Sequence, residues 1–212
     1  MHFETKRDIL NAHIKIIFDS LIPYSTKLSV MDGSDFFYTD EQNISFVYLV
    51  KSGHFLVKDI SAGMSIKTVS APYIFGMAQV LYPEQMGLLA IEHISDGVIY
   101  RLESQRAIEI ISKKQCWSSL AHFLAFQVGF LSSRYYDISH RSSYLVIKSL
   151  LLEMNNEPDE IIQNYSIEKY ISERCYLGRS GIMKILSDLR KGGYIEIKRG
   201  RLIKINKLPE KY

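Results

Sequence analysis

Cysteine is scarce in this chain. Two residues, Cys116 and Cys175, occur among 212. Two thiols cannot build a disulfide framework, a four-thiolate iron–sulfur centre or a structural zinc site by themselves. Such low usage fits a reducing compartment. Proline is also rare, with five residues, and tryptophan occurs once. Charged residues make up 23% and hydrophobic ones 47%, which sets aside disordered and collagen-like chains. No apolar run is long enough to cross a bilayer. The most apolar stretch, Cys116–Leu131, is too short and contains His122 and Gln127. The opening Met-His-Phe-Glu-Thr-Lys-Arg-Asp has no basic segment leading into an apolar core, so no secretory signal is expected. A cytoplasmic protein without membrane contact is the expectation. Catalytic signatures are missing too: no Gly-x-Ser-x-Gly elbow, Walker loop or His-Glu-x-x-His. Asp159-Glu160 reads as a solvated acidic pair beside Pro158. No local His/Cys/Asp cluster suits a metal. No catalytic residue, metal ligand or cofactor is therefore expected, and the chain does not read as an enzyme.

Net charge is also small, at +3, but it is unevenly spread. Residues 166–212 carry 12 Lys/Arg against 5 Asp/Glu, a local net of +7, while residues 1–165 sum to −4. A basic final third behind a slightly acidic body points to a C-terminal part that meets a polyanion.

Hydrophobic periodicity divides the chain. Over residues 5–22, Ile9, Leu10, His13, Ile14, Ile17, Phe18 and Leu21 recur at helical spacing, and Pro23 ends the run. From Lys27 to Leu102, short runs rich in Val, Ile, Phe and Tyr lie between turn signals such as Asp32-Gly33, Ser52-Gly53, Ala62-Gly63, Tyr82-Pro83 and Asp96-Gly97. This texture predicts an antiparallel sandwich or barrel, with a hairpin across Lys51-Ser52-Gly53. Residues 103–136 return to helical texture. Trp117, Ala121, Leu124, Val128, Leu131 and Tyr135 alternate steps of four and three, an a/d seam, and Leu120, Phe123 and Phe130 form a second stripe. Packing one stripe on the strands and the other on a twin helix satisfies both, which predicts a homodimer; a helix buried all round in a monomer is the alternative. A further helix is expected near Ser143–Asn155. The expected parts are a β domain over 1–102, a dimerisation helix region over 103–137 and a third part over 138–212.

The third part has an order of its own. Ser166 caps a short helix through Cys175, and Tyr176-Leu177-Gly178 makes a turn. Arg179–Arg190 forms a second helix with Ile182, Ile185, Leu186 and Leu189 on one face, and Gly192-Gly193 stops it. Residues 194–198 and 202–206 alternate around Arg199-Gly200-Arg201, a basic-tipped hairpin. Helix, turn, helix and basic hairpin make the winged helix-turn-helix pattern. Arg179, Ser180 and Lys184 sit where side chains reach base edges in the major groove. Lys191, Arg199 and Arg201 suit phosphates, where point charge and counterion release supply affinity. Double-stranded DNA is the expected partner. A protein-interaction module, or a small-molecule binder without DNA, is the alternative.

Strand-rich half, long helix and winged helix together resemble the cyclic-AMP receptor/FNR family of bacterial regulators. Arg179-Ser-Gly-Ile-Met-Lys-Ile-Leu186 is similar to that family's Arg-x-x-Val-x-Arg-x-Leu recognition helix. The resemblance places Arg179 and Lys184 on two of its base-contacting positions and Ser180 where its Glu usually stands. It implies an α+β fold: an N-terminal antiparallel β jelly roll of the cyclic-nucleotide-binding kind, a long dimerisation helix and a C-terminal winged helix-turn-helix. Ala71-Pro-Tyr-Ile-Phe-Gly-Met-Ala78, Tyr100-Arg-Leu102, Leu189-Arg-Lys-Gly-Gly-Tyr-Ile-Glu196 and Ile205-Asn-Lys-Leu-Pro209 resemble, more closely, enterobacterial regulators of the inhibitor of hydrogen peroxide resistance type. That likeness implies a role in oxidative-stress tolerance or virulence. Nucleotide binders of the wider family follow the turn Gly with Glu and later place an Arg on the cyclic phosphate. Here Met77 follows Gly76, and Tyr82–Leu88 holds no Arg. A buried phosphate without a cation is costly, so cyclic AMP is not expected, and any effector is unidentified. His54, His93 and His122 are expected to be structural rather than haem ligands. Cys116 and Cys175 lie on apolar stretches, where cysteine acts as a small hydrophobe, although Arg174 beside Cys175 raises the alternative of a reactive thiol.

Overall fold

The computed structural model describes residues 6–28, 35–37, 44–82, 89–140 and 142–210. The expected turn at Asp32-Gly33 and residues 83–88 lie outside them. The chain forms two compact units, residues 1–62 with 67–131 and residues 63–66 with 132–212.

In the first unit, helix α1 (Lys6–Leu21) ends in a single 3-10 turn, Ile22–Tyr24, with Pro23 early in it. Strands β1 (Thr26–Leu28), β2 (Asp35–Phe37), β3 (Phe46–Ser52), β4 (His54–Asp59), β5 (Met64–Ser70) and β6 (Tyr73–Phe75) follow. Then come α2 (Met77–Leu81), β7 (Leu89–His93), β8 (Val98–Glu103), α3 (Ser104–Lys113) and α4 (Trp117–His140); residues 64–66 of β5 and 132–140 of α4 belong to the second unit. The strands make two four-stranded sheets, in the orders β1-β8-β3-β6 and β2-β7-β4-β5. The pairings of β8 with β1 and β3, of β3 with β6, and of β7 with β2 and β4 are antiparallel. The expected hairpin across Lys51-Ser52-Gly53 is not formed. Gly53 turns a corner, and the chain leaves one sheet for the other, since β3 pairs with β8 and β6 while β4 pairs with β7. A sandwich separates consecutive strands in this way so that each sheet can bury one face on the other.

The central strand β3 buries Val47, Tyr48, Leu49 and Val50 in succession, so both of its faces are covered. Val47 and Leu49 join Ile74, Met77 and Leu102 beneath a helical layer: Ile14, Ile17, Phe18 and Leu21 of α1, Ala107, Ile110 and Ile111 of α3, and Leu120 and Phe123 of α4. Full burial of each large side chain is worth roughly 1.5–3 kcal/mol. The helical stretch read over 103–136 is broken: α3 ends at Lys113, Gln115 takes φ 56°, and α4 starts afresh at Trp117.

A cation lies inside this unit. Lys67 on β5 is 9% exposed. Its Nζ donates to Gln127 Oε1 on α4 at 2.9 Å and lies 4.8 and 4.4 Å from the ring centroids of Tyr73 and Phe130. Burial pulls its pKa down from 10.5 to about 8, because leaving water penalises the ammonium. Lys67→Met removes the charge and keeps the stem, so the variant is expected to be more stable. The pKa displacement corresponds to a penalty of roughly 3 kcal/mol. Losing the Gln127 hydrogen bond and the ring contacts takes part of that back, leaving a gain of about 1–2 kcal/mol near neutrality. Below pH 8 both states are protonated and the wild type bears the full penalty. Between pH 8 and 10.5 the unfolded chain still holds a proton that the folded chain has released, so wild-type stability from this group rises with pH. Urea unfolding of both proteins across that range should show the variant's advantage shrinking. An advantage that grows with pH would refute this account.

The second unit contains α5 (Ser143–Met154), α6 (Asp159–Asn164), α7 (Ile167–Ser172), α8 (Arg179–Lys191), β9 (Ile195–Lys198) and β10 (Arg201–Ile205). Ser142 and Ser166 cap α5 and α7 through hydrogen bonds from the Leu145 and Lys169 amides. Its core unites Ile147, Leu150 and Leu151 of α5, Ile167, Tyr170 and Ile171 of α7, the buried face of α8, Ile195 and Leu202. The last segment is fastened by Tyr144 Oη and Lys148 Nζ, which both donate to the Pro209 carbonyl.

Candidate nucleic-acid interface

The interface is built on α8. Ile182, Ile185, Leu186 and Leu189 are buried against α5 and α7, which fixes the rotation of the helix and turns the opposite side outward. Arg179, Ser180, Lys184 and Lys191 are all exposed. Arg179 stands in the first turn, where no acidic residue complements the helix dipole, and the N-cap, Gly178, has no side chain to cap it. A cation there is unfavourable for the helix by itself. Arg179 Nε meets Glu168 Oε1 of α7 at 3.3 Å with the arginine 79% exposed, a contact weak enough to be exchanged for another anion.

The wing is a two-residue hairpin. Arg199 and Gly200 both take positive φ, 52° and 78°, as a type I′ turn requires. Arg199 is therefore a non-glycine residue held in the left-handed region, while Arg199 and Arg201 both project into solvent. The Ile167 amide donates to the Gly200 carbonyl at 2.9 Å, tying the hairpin tip to the start of α7.

Several details differ from the sequence expectation. Helix α7 ends at Ser172, not at Cys175. Arg174, 1% exposed, turns back to place its guanidinium 3.7 Å from the Tyr170 ring centroid and donates to the Tyr170 carbonyl. The Cys175 thiol is buried and donates to the Ile171 carbonyl. Cys116 is buried beside Ser20 Oγ. The turn before α8 thus spans residues 173–178, with Tyr176 exposed. Two exposed residues escaped the sequence reading. Met183 on α8 and Tyr176 in the turn before it are both exposed. Met183 lies three and four residues from Ser180 and Arg179, and that helical spacing was the available signal. An apolar side chain there suits the thymine methyl group.

The residues expected to bear on an effector are also placed. Met77 is 1% exposed among the helical core residues. His54 Nδ1 lies 3.0 Å from Ser70 Oγ, the His93 ring is tilted 5.2 Å from Phe55, and His122 stacks 3.9 Å from His13. Among the described residues no group of three His, Cys, Asp or Glu side chains is disposed to hold a metal, and no described helix is long and apolar enough to cross a membrane.

On α4, Leu120 and Phe123 are buried in the first unit's core. Trp117, Ala121, Val128, Leu131 and Tyr135 are exposed, and Leu124 is half-buried against that core.

Comparison with known proteins adds the following. Residues 143–210 match the winged helix-turn-helix DNA-binding family. The inhibitor of hydrogen peroxide resistance of Salmonella typhimurium is 32% identical over 147 residues, 69% of this chain and 70% of that protein. Its Escherichia coli namesake is 28% identical over 191 residues, 89% of this chain and 90% of that protein. Among solved structures, the c-di-GMP responsive global regulator of Xanthomonas campestris superposes with a TM-score of 0.70 at 8% identity, over 93% of this chain and 100% of that one. A putative transcriptional regulator of the crp/fnr family from Eubacterium rectale gives 0.66 at 16% identity, over 92% and 90%. The fold is thus the α+β fold of the cyclic-AMP receptor/FNR regulators, and its C-terminal unit carries a winged helix-turn-helix DNA-binding domain. The chain is a DNA-binding transcriptional regulator of the inhibitor of hydrogen peroxide resistance family.

Proposed function

We propose that this regulator binds a two-fold-related operator as a homodimer in the cytoplasm, without cyclic AMP and without catalysis, and that its targets bear on peroxide tolerance. Its working parts are residues 1–102 as the effector-type domain, 103–137 as the dimer helix region and 138–212 as the DNA reader. The layout of α8 carries the reading. With one face of α8 buried, Arg179, Ser180 and Lys184 stay exposed to act as base readers. Lys191 at the helix end, with Arg199 and Arg201 at the wing, supplies cations for the phosphates. Half-sites then lie about one helical turn, ~34 Å, or a multiple of it apart. Met77, packed in the core at the position of the nucleotide-binding Glu, supports independence from cyclic AMP. The role in peroxide tolerance rests on the names of the relatives.

Selection of duplexes from a random pool with the purified protein tests operator, spacing and symmetry together. On the selected operator, Arg179→Ala is expected to lose about 1–3 kcal/mol of discrimination at one base pair, with much less effect on unrelated DNA. Arg199→Asn preserves the left-handed turn and removes the cation. It and Arg201→Ala should weaken all duplexes alike, and each should lower the slope of log affinity against log salt by about one. Gel shifts across salt check both. Wild-type behaviour of all three variants would remove the DNA role from these residues.

A further inference from the structure

A cleft of about 400 Å³ opens in the first unit between α1, the β5–β6 connection and α4. Its walls are largely apolar, with Leu10 and Ile14 on one side and Tyr73, Phe123, Phe126 and Phe130 on the other. The turn at Gly76, where nucleotide binders of this fold hold their ligand, does not line it, nor does Met77. Of its charged lining residues, Arg7 and Lys67 are both cations, and no Asp or Glu lines it among the described residues.

Two buried polar groups meet at the wall of this cleft. The Lys67 ammonium sits between the Tyr73 and Phe130 rings with the Gln127 carbonyl oxygen as hydrogen-bond acceptor. Gln127 Nε2 is buried without a hydrogen bond of normal geometry, beside the Tyr73 hydroxyl. An ammonium has three donors, so Lys67 retains capacity for an anionic oxygen. Rings, apolar walls and a desolvated cation form the complement of one ligand class.

We propose that this cleft binds an aromatic monocarboxylate, its ring among Phe123, Phe126 and Phe130 and its carboxylate on Lys67. The volume lies in the range of small-ligand sites. The carboxylate supplies an opposite charge, which no described residue gives Lys67, so binding offsets the burial that holds its pKa near 8. A neutral analogue of the same shape fills the apolar walls but leaves the ammonium unpaired. The inference stands on the first unit alone and does not depend on the DNA reading.

Fluorine NMR of 4-fluorocinnamate with the full-length protein at neutral pH is the test, with 4-fluorocinnamamide as the neutral probe. The acid is expected to bind at least tenfold more tightly than the amide. Lys67→Met should abolish that preference, and Lys67→Arg should keep it. Failure of the acid to bind at millimolar concentration overturns the proposal. Equal affinities of acid and amide for the wild type overturn it as well, and that comparison needs no variant to fold. A preference for the acid that persists in Lys67→Met removes Lys67 from the site.

Discussion

Replacing Val128 and Leu131 of α4 together by Glu is expected to turn the proposed dimer into a folded monomer and to weaken operator binding by about two to four orders of magnitude. Both residues lie outward from the core, Val128 62% and Leu131 49% exposed, so neither contributes packing that the isolated chain would miss. Surface changes of this kind alter monomer stability by roughly 0.5 kcal/mol or less, and Glu is a better helix former than Val. In a paired seam the same positions face a twin helix, where Glu would lie desolvated against Glu. The DNA effect is then one of linkage. A dimer engages its second half-site at the high effective concentration set by the first, and a monomer does not. Leu124 is a poorer probe, because it also packs on the first unit's core. Light scattering, circular dichroism and gel shifts on the selected operator make the measurement. A variant that stays dimeric places the dimer contact elsewhere. One that is monomeric and binds its operator like wild type would show that half-sites are read singly.

The exposure pattern along α4 also shows what a sequence can carry. Two apolar stripes on one helix demand two partners, and the spacing alone separates Leu120 and Phe123 from Trp117, Val128 and Leu131. The folded unit buries the first pair and leaves the second group in solvent. The winged helix was legible for the same reason: Ile182, Ile185, Leu186 and Leu189 recur at helical spacing, and the strands beside Arg199-Gly200 alternate. The likeness to known regulators gave the arrangement of these parts. What stayed hidden depends on contacts between segments remote in sequence. Lys67 sits in an ordinary alternating strand, and only the approach of Gln127 and Phe130, some sixty residues later, buries it. Strand texture likewise reported β3 and β4 but not that the chain changes sheets between them, because pairing is decided by partners elsewhere. Helix α7 ends before Arg174, whose guanidinium lies on the Tyr170 ring; local propensity contains no signal for that contact.

Gly76 brings local sequence and tertiary contact together, and Gly76→Ala is expected to destabilise the protein by about 3–5 kcal/mol. Gly76 precedes α2 with φ 93° and ψ −12°, a backbone region that side chains penalise. A Cβ placed there would lie 2.4 Å from the Phe46 carbonyl oxygen and 3.3 Å from Val47 Cα, both backbone atoms of the central strand β3. Neither atom can rotate aside, and moving β3 disturbs its ladders with β6 and β8. The φ penalty and the steric one can be separated within the same molecule. Gly63 also has positive φ, +63°, but a Cβ there meets nothing within 4 Å, so Gly63→Ala should cost only about 1 kcal/mol. Urea unfolding of the two variants measures the difference. Equal losses would mean that backbone conformation alone requires glycine at this turn. A larger loss at Gly76 means that contact with β3 selects it, and that this turn keeps its glycine in a chain whose next residue, Met77, is built into the core.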